Sequence, residues 1–224
     1  MISSRIDKIC SLVDKRVVAE IGCDHALITK KLLESNKIDF CFLSDISKSC
    51  LNKAIVNLKD FSDKTTFFVA DGLLGILSKS DYLGHKAQNF EPEQIIIAGM
   101  GGKEIVKILQ QDKLNQFKFF ILQPQKNVDE VRRFLSNNCF RIDREVIAKE
   151  GKMFYNVLKV SRTNKIEILN DRQIVVGKFQ DKDKDEIFRQ YIQFNIDKCQ
   201  RILNKKNVEA VKTKLALFEE KGED

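Results

Sequence analysis

Two kinds of apolar spacing alternate along this chain. Arg16-Val-Val-Ala-Glu-Ile21, Asp39-Phe-Cys-Phe-Leu-Ser44, Thr65-Thr-Phe-Phe-Val-Ala70, Gln94-Ile-Ile-Ile-Ala98 and Phe117-Lys-Phe-Phe-Ile-Leu122 are short, nearly unbroken apolar runs. They read as strands covered on both faces. Each stops at a turn residue or an acid: Gly22, Asp45, Asp71-Gly72, Gly99-Met-Gly-Gly102 and Gln123-Pro124. The segments between them carry helical spacing. Ile2, Ile6, Ile9, Cys10 and Val13 follow a capping-box-like Ser4 and Asp7, and Leu27, Ile28, Leu32 and Leu33 mark His25 to Ser35. Lys48 to Leu58, Lys103 to Leu109 and Val128 to Leu135 complete the set. Strands alternating with helices at this pitch predict a doubly wound α/β fold, a mostly parallel sheet with helices on both faces. Arg141 to Ala148 and Met153 to Val160, joined by Lys149-Glu-Gly-Lys152, read instead as an antiparallel terminal hairpin.

Beyond Val160 the pattern changes. Residues 161–183 are polar and irregular, with the charge run Asp181-Lys-Asp-Lys-Asp185 at their end. Phe188, Ile192, Cys199 and Ile202, with Ile187, Tyr191 and Phe194, then step along a helix. Asn207 is placed to cap a second helix, whose Val208, Val211, Leu215 and Phe218 form a coiled-coil-like seam. The expected organisation is a sheet domain over 1–160, then a linker and a C-terminal αα-hairpin over 161–224.

Composition narrows the class. The chain has 224 residues, with 39 Lys and Arg against 32 Asp and Glu, and a net charge of +7. No apolar run reaches the ~20 residues of a membrane span, and the charged amino terminus lacks a signal core. A cytoplasmic protein without a membrane partner is expected. The six cysteines form no CxxC pair and there are only two histidines, His25 and His85, so reduced thiols are expected and a metal is not. The charge excess is spread thinly. Lys30-Lys31, Arg132-Arg133, Arg141, Arg144, Lys205-Lys206, Lys212 and Lys214 are candidates for a folded basic patch.

In open parallel sheets, ligands bind beyond the carboxyl ends of the strands, near the point where strand order reverses. The residues expected there are Glu20 to His25, Asp45, Asp71-Gly72, Ala98 to Gly102 and Gln123-Pro124. A dinucleotide fingerprint needs glycines at 22, 24 and 27; this chain has Gly22, Asp24 and Leu27. Asp24 would face a pyrophosphate, and two like charges ~4 Å apart repel by about 4 kcal/mol at an effective dielectric near 20. A cationic ligand suits the loop better, and S-adenosylmethionine carries a sulfonium and an ammonium. Asp45 comes after Gly22 at roughly the spacing at which an acid meets ribose hydroxyls, ~20 residues. Asp71 is placed to accept from an adenine amino group.

The motifs Ala19-Glu-Ile-Gly-Cys-Asp-His-Ala26, Phe68-Val-Ala-Asp-Gly-Leu73, Ile96-Ile-Ala-Gly-Met-Gly-Gly102, Ile121-Leu-Gln-Pro124 and Glu150-Gly-Lys-Met-Phe-Tyr155 occur in this order. Together they resemble the tRNA (adenine-N1) methyltransferases of the TrmK type, which modify the adenine at tRNA position 22. The resemblance spans about residues 1–160, with departures: Glu20 where the family usually has Asp, Leu27-Ile28-Thr29 for a more usual Tyr-Leu-Pro, and Gln125 where Asn is common. It implies a class I, Rossmann-like methyltransferase sheet and methyl transfer from S-adenosylmethionine to N1 of a tRNA adenine. On that reading Glu20, Gly22, Cys23, His25, Asp45, Ile46, Asp71, Gly72 and Ala98 hold the cofactor. Gly99 and Met100 sit where base and methyl meet, with Asp24 as the carboxylate answering the positive charge on the methylated base. Gly101, Gly102, Gln123, Pro124 and Asn127 are expected to contact the substrate. A methyltransferase for a small molecule or protein, and a non-catalytic RNA-binding module, are the alternatives. The chain is expected to work as a monomer, with a dimer through the hairpin left open.

Overall fold

The computed structural model describes residues 4–72, 90–111, 115–180 and 185–220. Ile2, Leu73, His85 and most of the 181–185 charge run lie outside the described residues.

Seven strands form one sheet, β1 (Val17–Ile21), β2 (Phe40–Asp45), β3 (Thr65–Val69), β4 (Gln94–Gly101), β5 (Phe119–Lys126), β6 (Phe140–Glu150) and β7 (Met153–Arg162). Their order is β3-β2-β1-β4-β5-β7-β6. The first five are parallel, and β7 runs antiparallel to both β5 and β6, as the hairpin pattern requires. Strand order reverses between β1 and β4, where the chain passes from one half of the sheet to the other.

The unbroken apolar runs are explained by burial on both sides. Ala19, Ile21, Phe40, Phe42, Ile95, Ile97, Phe120 and Leu122 face one core, which includes α4 (Gly102–Leu109), α5 (Val128–Asn137) and the short α6 (Asp171–Val175). The alternate residues Val18, Cys41, Leu43, Ile96 and Ile121 face a second core with α1 (Ser4–Leu12), α2 (Leu27–Glu34) and α3 (Lys48–Asn57). Period-two alternation thus assigns each residue to a helical layer rather than to water.

Two strands run past their expected ends. β4 continues through Gly101 and β5 through Lys126, pairing Met100 with Pro124 and Gly101 with Lys126 across a bulge at Ala98–Met100. Gln123 and Pro124 therefore lie inside a strand; Pro124 is accommodated where the ladder is already irregular.

The linker is better ordered than its polarity suggests. Asn170 caps α6 and Gln173 returns the bond, a capping box inside the segment expected to be irregular. The C-terminal pair, α7 (Glu186–Leu203) and α8 (Glu209–Glu219), forms the expected hairpin. Val208, not Asn207, occupies the position before α8 and makes no side-chain cap, so Asn207 is not the capping residue. The seam is also uneven: Phe218 is buried, but Val208 is exposed. Phe218 and Tyr191 pack with Ile147 and Val176, so the hairpin closes against the sheet domain as well as on itself.

One buried ion pair joins these parts. Arg132 on α5 and Glu145 on β6 are both 0% exposed and are bonded through Nε (3.1 Å) and Nη2 (2.5 Å). Arg132 Nη1 donates to the carbonyls of Ile174 (2.9 Å) and Val175 (3.1 Å), while Glu145 accepts from Asn156 Nδ2 and the Lys178 amide. Arg132 is therefore removed from the basic surface patch. Glu145→Ala is expected to cost about 3–5 kcal/mol in urea unfolding, because it strands a guanidinium in the interior. A loss below ~1 kcal/mol would show that the pair does not hold the junction.

Candidate active site at the switch point

β1 ends in a tight coil. Gly22, Asp24 and Ala26 all have positive φ (69°, 42° and 52°), so the chain turns sharply at alternate residues. These amides have left the sheet ladder, and β2 satisfies them instead. Gly22 and Cys23 N–H donate to the Ser44 carbonyl at 2.8 and 3.2 Å, and Asp24 N–H donates to Asp45 Oδ2 at 3.1 Å. Asp45 Oδ1 accepts from Ser47 N–H at 2.8 Å, and Ser47 caps α3. Asp45 is thus the clasp between the first turn and the second.

Helix α2 starts at Leu27 behind Ala26, which has no side-chain oxygen to cap it. Glu20, 4% exposed on β1, supplies the cap from the core side: its Oε2 accepts from Thr29 N–H (3.2 Å) and Thr29 Oγ1 (2.5 Å). Burial pushes the Glu20 carboxyl up to about 7, against the bonds from Thr29 that favour its charged form. Burial likewise raises the neighbouring Cys23 thiol, with Glu20 and Asp45 adding to the effect. All six cysteines are free thiols, four of them buried.

Two cavities open on either side of Gly22. One, of ≈ 210 Å³, lies on the α1–α2 side and is bordered by Glu20, Gly22, Cys23, Asp24, His25, Ala98, Gly99 and Gln123. The other, of ≈ 280 Å³, lies on the α4 side and is bordered by Gly22, Asp45, Ile46, Asp71, Gly72 and Met100. The Met100 side chain packs against Gly22 from the second cavity, since a Cβ added at Gly22 would fall 2.0 Å from its terminal methyl. Ile46, 72% exposed, presents bare apolar surface in the second cavity. Asp24, Asp45 and Asp71 therefore ring one glycine. Asp24 has His25 Nε2 at 3.9 Å and Lys53 Nζ at 3.8 Å.

The remaining expected site residues have other places. Gly101, Gly102, Pro124 and Asn127 border neither cavity. A Cβ at Gly102 would lie 2.3 Å from the Asn127 carbonyl, so this glycine permits close packing of α4 on the β5–α5 turn. Asn127 Nδ2 donates to Glu130. Gln123 reaches the first cavity, but its amide is already engaged: Oε1 accepts from Gly99 N–H (3.2 Å) and Nε2 donates to the Pro124 carbonyl (2.9 Å). It holds the β4 bulge in shape, while exposed Gln125 lines the cavity beside Gly99.

Sequence reasoning passed over Arg5. Its guanidinium borders the first cavity, approaches Gln123 Oε1 at 3.5 Å and lies 5.2 Å from the Tyr155 ring centre, and its amide donates to Glu150. Glu150 and Tyr155 belong to a motif visible in the sequence, but nothing in the opening helix announces its partner.

A parallel sheet of this order, with an acid-rimmed crevice at the switch point and an antiparallel terminal hairpin, defines a Rossmann-like methyltransferase. Comparison with known proteins gives the particular family. A family model described as tRNA (adenine(22)-N(1))-methyltransferase, TrmK, matches residues 18–222, and the chain belongs to that family. A Mycoplasma pneumoniae protein whose name places it among tRNA methyltransferases is 36% identical over 177 residues, 77% of this chain and 78% of its own. The tRNA (adenine(22)-N(1))-methyltransferase of Bacillus subtilis is 26% identical over 84% of this chain and 78% of its own length. A Streptococcus pneumoniae m1A22 methyltransferase structure with S-adenosyl-L-methionine superposes with a TM-score of 0.80 at 25% identity, covering 98% of both chains.

The raised Glu20 carboxyl has a pH consequence. The folded chain holds this proton more tightly than the unfolded chain does. Its contribution to stability is therefore complete below pH about 4.5 and is lost as pH rises through about 7. Between pH ~5 and ~8, Glu20→Gln is expected to flatten the fall in unfolding free energy by up to ~3 kcal/mol. Parallel pH profiles for the two proteins would refute the assignment.

Proposed function

We propose that this chain methylates N1 of the adenine at position 22 of tRNA, with S-adenosylmethionine as donor. The observation that carries this reading is the ring of Asp24, Asp45 and Asp71 around Gly22 at the switch point. The two cavities together fall within the usual range for a small-molecule site, ~300–1,000 Å³. Their carboxylates suit a ligand bearing positive charge, hydroxyls and an exocyclic amine, and suit a pyrophosphate badly. Asp45 would hold the ribose, Ile46, Asp71 and Gly72 the adenine, and Gly22, Cys23, His25 and Ala98 the amino-acid end. The donor supplies a methyl group on a sulfonium, open to in-line displacement.

The protein's share is alignment. Nucleophile and carbon must meet within ~3–3.5 Å, and the Gly99 bulge, held by Gln123, lets the acceptor base approach the backbone closely. Gln125 offers an amide for the base edge, and Arg5, which lies over the Tyr155 ring, borders the same cavity. Methylation at N1 leaves positive charge on the adenine; Asp24 answers it, with Lys53 and His25 tempering the carboxylate. N1 is paired in a duplex, so the base must enter extruded or unpaired, at a few kcal/mol.

Residues 1–160 carry the chemistry in this reading, and the hairpin in 161–224 adds RNA contact through Lys205 and Lys206. The reducing cytoplasm suits six free thiols, and one chain supplies every residue named, which supports a monomer. Deleting the hairpin would remove Tyr191 and Phe218 and uncover Ile147 and Val176, so charge substitutions are the cleaner probe of its role.

Incubating unmodified tRNA with isotopically labelled S-adenosylmethionine, with subsequent nucleotide mapping by mass spectrometry, is expected to find one labelled adenine at position 22. Label elsewhere, or none, sinks the proposal. Asp45→Ala is expected to weaken donor binding about 10- to 100-fold, the scale of a hydrogen bond to a charged group, in calorimetry. Unchanged affinity would remove Asp45 from the site.

A further inference from the structure

On the outer side of the first cavity, a groove of ≈ 770 Å³ runs between α2 and α3, bordered by His25, Leu27, Lys30, Lys53, Val56 and Lys59 among others. It is continuous with the site, because His25 and Leu27 border both. Three lysines and one acid, Asp60, border it, and one of the three, Lys53, is paired with Asp24 at 3.8 Å. Its floor is braced: Lys30 Nζ donates to Asn57 Oδ1 at 3.1 Å, and Asn57 Nδ2 donates to the His25 carbonyl at 2.8 Å. Its apolar members are bare, with Val56 71% and Leu27 51% exposed. Lys59 makes no ion pair among the described residues, whereas Lys212 and Lys214 on the hairpin are matched by Glu209 and Asp129.

We propose that this groove is the channel for the RNA strand flanking the target adenine, Lys30 and Lys59 meeting successive phosphates while Val56 and Leu27 underlie a neighbouring base. The inference rests on the tRNA methyltransferase reading and says which surface serves it. Cationic side chains placed along a groove suit single-stranded nucleic acid, where charge tracks the backbone, and the exposed aliphatic carbons of Val56 and Leu27 give a base van der Waals contact. Continuity supplies the geometry: a base extruded into the first cavity leaves its neighbours at the cavity's rim, where the groove begins. The groove lies in the α1–α3 layer and the hairpin packs in the α4–α6 layer. The tRNA would therefore be gripped on both flanks of the catalytic edge.

The test compares full-length wild type, Lys30→Ala/Lys59→Ala and Lys205→Ala/Lys206→Ala. It measures tRNA affinity by fluorescence anisotropy across a salt series, donor affinity by calorimetry and methylation kinetics. The groove variant is expected to bind tRNA about tenfold more weakly, with the salt slope reduced by ~1.4 for two lost phosphate contacts on a single strand. Its KM for tRNA rises while donor affinity holds, which also reports an intact fold. Unchanged tRNA affinity and slope in the groove variant, with wild type binding and methylating normally, overturns the proposal and leaves the methyltransferase reading standing. A loss confined to the Lys205/Lys206 variant does the same and gives the path to the hairpin. A wild-type chain that neither binds nor methylates tRNA defeats the underlying reading, and the channel with it.

Discussion

Where a parallel strand stops, its backbone donors still require acceptors. At the end of β1 those acceptors come from β2. The Ser44 carbonyl takes two amides, from Gly22 and Cys23, and the Asp45 carboxylate takes a third from Asp24 while holding Ser47 at the start of α3. The coil at 22–26 has no ladder of its own, and three positive-φ residues leave it little room to adjust. Its shape is therefore inherited from β2, and so is the spacing of the acids around Gly22. Beneath it, Glu20 performs the same service for α2, trading the cost of a buried carboxyl for the orphan amide at Thr29.

This arrangement gives several site residues two tasks. Asp45 is a clasp before it is a ligand for anything. Gln123 is a brace for the β4 bulge, and the neighbouring side chain that lines the cavity is Gln125. Mutating such residues alters the frame as well as the chemistry, and binding and stability must be measured together to separate the effects. The Arg132–Glu145 pair plays the equivalent part far from the crevice, where it binds α5, β6 and α6 into the platform on which the hairpin rests.

Much of this was legible beforehand. The apolar runs at 16–21, 39–44 and 94–98 read as strands with cover on both sides, and the alternation with helices left little choice of architecture. The acids Asp24, Asp45 and Asp71 announced themselves because each lies at or just beyond the end of a strand, and strand ends of a parallel sheet share an edge. Other features were hidden for definite reasons. Pro124 reads as a stop, yet it sits in a strand where a bulge has already broken the ladder. Asn127 and Gly102 look like ligand residues by their neighbours in the chain, but they pack on one another. Arg132 reads as surface charge until its distant partner Glu145 is brought against it.

Local order along the chain determines the type of each element, the direction of the sheet and the acidic character of its binding edge, because periodicity and turn chemistry act over a few residues. Every pairing across the chain needed the folded molecule: Arg5 with Gln123 and Tyr155, Glu20 with Thr29 as a cap, Met100 over Gly22, and the lysine groove beside His25. Those contacts depend on which helix lies over which strand. Layer packing settles that question, and no short stretch of sequence contains it.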